Sequence, residues 1–134
     1  VYKRQSIDGA TKETYEKLRL GGRWDKILEG LECMAEQKQK HGFRFILHFV
    51  VQKDNYHEME TIIDLGEQYG ADRVWLNKIE DWGTIDDFGT QNIWNTPEYQ
   101  EQLSNLISRI HKRNDRFIEC PTLITEEVRN RNKN

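Results

Sequence analysis

The chain has 134 residues, 36% hydrophobic and 32% charged, with a formal net charge of -3. That length suits one domain able to bury about two-thirds of its unfolded surface. Charges of both signs are mixed along it, which excludes a basic nucleic-acid face, and no apolar run is long enough to span a bilayer.

Val1-Tyr2-Lys3-Arg4-Gln5 opens the chain without an initiator Met. It resembles a translated sequencing-adapter scar. On that reading residues 1–5 are not native, the chain is a gene fragment, and these residues stay out of fold reasoning. No secretory signal follows. Cys33 and Cys120 lie far apart and form no metal-spaced pair, so a reducing cytoplasm is the expected compartment.

A strand is expected to end at Ser6-Ile7-Asp8-Gly9, with Gly9 turning the chain. A helix then runs from about Thr11 to Leu20 and stops at Gly21-Gly22. Such strand-to-helix junctions gather at the carboxyl edge of a parallel sheet, where ligands bind. A second helix spans Trp24 to Lys40, its stripe made of Trp24, Ile27, Leu28, Leu31, Met34 and Ala35. Gly42 ends it after Lys38, Lys40 and His41, where positive charge suits the helix dipole. Cys33 borders the stripe and reads as packing.

Phe43 to Gln52 is nearly continuous in apolar and aromatic residues, the pattern of a strand covered on both faces. Asn55 with Glu58 three residues on reads as a capping box. The helix behind it carries Met59, Ile62, Ile63, Gly66 and Tyr69 on one side and closes at Gly70. Val74 to Ile79 is the next strand. An irregular stretch from Glu80 to Asn95 holds Trp82 and Trp94, and a loop of that length usually serves a function or is disordered. Thr96-Pro97 opens a helix with the stripe Tyr99, Leu103, Leu106, Ile107 and Ile110. Phe117 to Ile124 is a short strand or an extended tail. The alternation calls for an α/β fold with parallel strands and right-handed crossovers.

Ser6-Ile7-Asp8-Gly9-Ala10-Thr11, Thr14-Tyr15-Glu16-Lys17-Leu18-Arg19 and Gly21-Gly22 resemble the fourth strand and helix of a radical S-adenosylmethionine (SAM) enzyme. Phe49-Val50-Val51-Gln52-Lys53-Asp54-Asn55 resembles that family's fifth strand and following turn. Asp72-Arg73-Val74 to Glu80-Asp81-Trp82-Gly83 resembles the sixth strand and its exit loop. The likeness runs from about Ser6 to Ile110 and is greatest to the branch with SPASM or twitch-type extensions. It implies a partial parallel (β/α) barrel of about three strand-helix units, the last half of a (βα)6 core. Residues 6–115 would be that half-core and 116–134 a tail.

The resemblance further implies a parent enzyme that cleaves SAM at a [4Fe-4S] cluster to give a 5′-deoxyadenosyl radical, acting on a small-molecule or peptide substrate. The CxxxCxxC that holds the cluster is absent from this chain, as is the amino-terminal half of the barrel, so the chain is expected to be inactive alone. Ser6 takes the place of the residue that contacts the SAM ribose, with Asp8 at the same junction. Arg19 would reach toward the SAM carboxylate, or else toward the last carbonyls of its own helix. Asn77, Lys78 and Ile79 fall where the backbone meets the adenine.

His48 and Gln52 share a strand face with Ile46 and Val50. They would border the substrate space with Trp82 if that face lines the barrel. Each has a structural alternative: Ser6 can satisfy a turn, His48 and Asn77 can be hydrogen-bonded core groups, and Trp82 can simply cover the barrel mouth. His57 and His111 are expected to face solvent. The alternative function is a non-catalytic β/α module binding a nucleotide or a partner. A phosphate-binding barrel fragment ranks last, because no glycine-rich phosphate loop is present.

Overall fold

The computed structural model describes residues 2–79, 91–94, 96–113 and 117–119. Strand β1 (Tyr2–Ser6) turns into helix α1 (Lys12–Leu18). There follow α2 (Trp24–His41), β2 (Arg44–Val51), one 3-10 turn (Tyr56–Glu58), α3 (Met59–Gln68), β3 (Arg73–Lys78), α4 (Pro97–His111) and the two-residue strand β4 (Ile118–Glu119). All neighbouring strands are parallel, in the spatial order β1-β2-β3-β4. Tyr2–Gln5, set aside above as adapter-like, form most of β1 and pair in register with Arg44–Leu47. Of the expected Phe117–Ile124 segment, Ile118–Glu119 is strand; Cys120 lies outside the described residues.

When parallel strands follow one another in spatial order, right-handed crossovers place every connecting helix on the same face. The core agrees. Leu31 of α2, Met59, Ile62 and Ile63 of α3, and Leu103, Ile107 and Ile110 of α4 form one buried cluster. Phe45, Leu47, Phe49 and Val51 of β2 join it, as do Val74 and Leu76 of β3. The alternate residues of these strands lie on the opposite face: Ile46, His48 and Val50 on β2, and Arg73, Trp75 and Asn77 on β3. Ile46 is buried but is not part of the helix-side cluster. β2 is therefore wholly apolar on its helix side, while its other face alternates Arg44, Ile46, His48 and Val50.

Local chemistry sets the boundaries. The Thr11 hydroxyl accepts the Thr14 N–H as the α1 cap, while Gly42 (φ 69°) ends α2 and its N–H bonds to Lys38 O. α1 closes at Leu18, two residues short of expectation. Gly9 does not take a left-handed conformation. Its glycine requirement is steric, since a Cβ there would lie 2.5 Å from the Tyr15 nitrogen. Gly66 similarly lets α3 settle onto the sheet, a Cβ there falling 2.6 Å from Val74 Cγ2. On α2 only Leu31 is fully covered, Trp24, Ile27 and Met34 are half-buried, and Cys33 is exposed rather than packed.

Candidate functional site at the carboxyl edge of the sheet

The turn after β1 is held by the turn after β2. Glu58 is 4% exposed, and its carboxylate accepts the Ala10 N–H (2.8 Å), the Thr11 hydroxyl (2.6 Å) and the Thr14 hydroxyl (3.0 Å). Asn55 is fully buried; its amide donates to Asp8 O (3.0 Å) and Val50 O (2.8 Å), and its oxygen accepts the Gln52 N–H (2.9 Å). This corrects the capping-box reading. Neither side chain caps the turn it begins; both reach across to Asp8–Thr14. Burial without water makes full pairing obligatory for such groups, and the residues found here supply it.

Above this clamp, Ser6 is the register partner of His48, and Val50 of Asn77. Ser6 and His48 thus sit side by side on β1 and β2, and Asn77 lies two residues beyond Trp75, the β3 partner of His48; all three share the face opposite the helix-side core, near the carboxyl edge. Ser6 is exposed and His48 half-buried. Asn77 Nδ2 stands 2.8 Å from His48 Nε2. An amide N–H donating there leaves the imidazole neutral, with its proton on Nδ1. Burial, and next the charge of Arg4, hold the His48 pKa below its ordinary value, with Asp8 opposing. Trp75 meets the imidazole edge-on at 6.3 Å between ring centres.

The remaining predicted residues divide. Arg19 Nε donates to Asp8 Oδ2, an ion pair with its junction neighbour. That hydrogen bond, and then the Asp8 charge, raise the guanidinium pKa. Lys78 lies on the helix-side face, its ammonium 5.1 Å from the centre of the Trp94 ring. Ile79 is buried, and its N–H already donates to Val51 O (3.1 Å). Gln52 follows the end of β2, with its backbone held by Asn55 and Tyr56. Trp82 lies outside the described residues. His57 is exposed as expected, whereas His111 is half-buried.

A [4Fe-4S] cluster held by the family's motif needs three thiolates, and this chain has two cysteines far apart in sequence. Its residues do not fit that group. They do offer an exposed serine hydroxyl at a strand-to-helix junction, the kind of polar group that a ribose could meet.

Sequence reasoning missed the reach of Asn55 and Glu58 because their partners lie more than 40 residues away. It also passed over Trp75 and Arg4, which the alternation of β1 and β3 would have placed on the His48 face. Comparison of the chain with protein-family models, with curated proteins and with solved structures returned no match.

Proposed function

We propose that this chain is the carboxyl-terminal half of a radical SAM core, with β1, β2 and β3 standing as its fourth, fifth and sixth strands. The observation that carries the reading is the consecutive parallel strand order, with Ser6, His48 and Asn77 together near the carboxyl edge on the face away from the helices. A closed β/α barrel has this arrangement, helices outside and functional groups at the carboxyl ends of successive strands. The edge position of β1, paired with β2 alone among the described residues, favours it over a self-contained nucleotide- or partner-binding module.

In that reading this chain supplies a wall. The Ser6 hydroxyl hydrogen-bonds the SAM ribose, and the backbone from Asn77 to Ile79 faces the adenine through atoms other than the engaged Ile79 N–H. His48 and Gln52 border the substrate, with Trp82 in the following loop. Reductive cleavage of SAM belongs to the half that carries the cluster, and this chain alone does not perform it. The test is the reading frame upstream of Ser6 in the source DNA. An in-frame CxxxCxxC is expected; a start codon with no such motif between it and Ser6 overturns the reading. Calorimetric titration of this chain with SAM should show no tight binding.

A further inference from the structure

The imidazole of His48 has one nitrogen engaged and one open. Asn77 Nδ2 stands 2.8 Å from Nε2, and an amide nitrogen only donates, so the ring proton sits on Nδ1. The two ring nitrogens flank Cε1 and point apart, so Nδ1 turns away from Asn77. Among the described residues, Trp75 Nε1 is the one buried side-chain nitrogen or oxygen without a partner. His48 Nδ1 has no hydrogen-bond partner among them either, so it is not sealed from solvent. Ser6, exposed, stands beside His48 on β1, across β2 from Asn77. The carboxylate whose charge His48 feels is that of Asp8, and it is paired with Arg19.

We propose that His48 Nδ1–H donates a hydrogen bond to a carbonyl oxygen of the substrate, with Asn77 as the positioning residue that keeps the ring a donor. The inference rests on the reading of this face as the substrate-side wall and adds the sign of the contact. A carbonyl oxygen answers an open donor without bringing a donor of its own, or a negative charge to set beside Asp8. A donor-only group such as an ammonium finds nothing to bond on this ring. With Nε2 engaged and Nδ1 protonated, the ring is also no base for a substrate proton. Val50 and Trp75, half-buried on the same face, give the body of such a ligand apolar contact.

The experiment is a titration of the full ¹⁵N-labelled chain with benzamide, an amide carbonyl on a ring-sized body, and separately with benzylammonium, which only donates. Long-range ¹H–¹⁵N spectra, assigned with His48→Phe, should show His48 protonated at Nδ1 and bare at Nε2. Benzamide should shift Nδ1 saturably, with a Kd of about 10 mM or tighter, and benzylammonium should not. His48→Phe, which keeps a ring but removes the donor, should weaken benzamide binding at least about three-fold, read from the Ser6 amide. Asn77→Asp puts an acceptor where the donor was. It should move the proton to Nε2, raise the His48 pKa and weaken benzamide to a similar degree; a merely structural Asn77 would leave the tautomer as it is. The inference is overturned if the parent chain carries the proton on Nε2, if benzamide leaves Nδ1 unmoved, if benzylammonium matches it, or if Asn77→Asp keeps the Nδ1–H form. These readouts concern the ring itself, whereas the upstream reading frame decides the half-core reading, so the two failures are told apart.

Discussion

The Glu58 carboxylate receives three hydrogen bonds from the turn that begins α1, at 4% exposure. Removing that acceptor strands three donors. Glu58→Gln keeps one acceptor oxygen but sets an NH2 among donors, so it should cost about 1–3 kcal/mol. Urea unfolding at unchanged m-value reads this, and a loss under about 0.5 kcal/mol would show the clamp to be dispensable. His48 gives a second prediction at this scale. Its folded pKa is depressed, by burial first, so between that value and the unfolded value of about 6.5 the unfolded chain binds more protons. The contribution of His48 is therefore complete above about pH 6.5 and declines as pH falls through that value. His48→Asn should flatten the pH dependence of the urea midpoint between about pH 5 and 7; an unchanged slope would assign that dependence to other groups. Both residues show the limit of reading locally. The Asn55–Glu58 spacing matched a capping box, but the donors that claim the carboxylate arrive from another strand-helix unit.

Elements were more legible than contacts. The parallel order, the α3 stripe and the boundaries of β2 and β3 follow from periodicity and glycine placement, because each depends on neighbours within a turn or two. α2 was legible as a helix, yet its stripe overstated its burial: Leu31 alone is covered fully and Cys33 faces solvent, since coverage depends on what packs against it. Gly66 shows the packing cost directly. In isolation a helical Gly→Ala change gains about 1 kcal/mol. Here the added Cβ would sit 2.6 Å from Val74 Cγ2, and overpacking of a filled core costs about 1–3 kcal/mol. Gly66→Ala should therefore destabilise. Pairing it with Val74→Ala should recover part of the loss, so that the double variant is more stable than the sum of the single changes predicts. Strict additivity would mean that α3 can shift along the sheet to relieve the contact.

At the scale of the whole molecule, the sheet ends at β1 among the described residues. β1 pairs with β2 alone among the described residues, and the Ile7 N–H donates to His48 O. By the alternation of strand amides, Gln5 and Lys3 also turn toward β2, while Arg4 and Ser6 turn away from it. An exposed edge of this kind is a template for another strand. The positive charges of Lys3 and Arg4 oppose pairing with a second copy of the same strand, because like charges directly opposite each other are destabilising. Hydrogen exchange on the isolated chain should therefore split β1 by alternation: slow at Ile7 and Gln5, fast at Arg4 and Ser6, with β2 slow throughout because it is paired on both sides. Slow exchange at Arg4 and Ser6 that depends on protein concentration would show the edge joined to another copy. If, in a longer polypeptide carrying the proposed amino-terminal half, those two amides became slow at every concentration, a neighbouring strand would have closed the edge, as the half-barrel proposal requires.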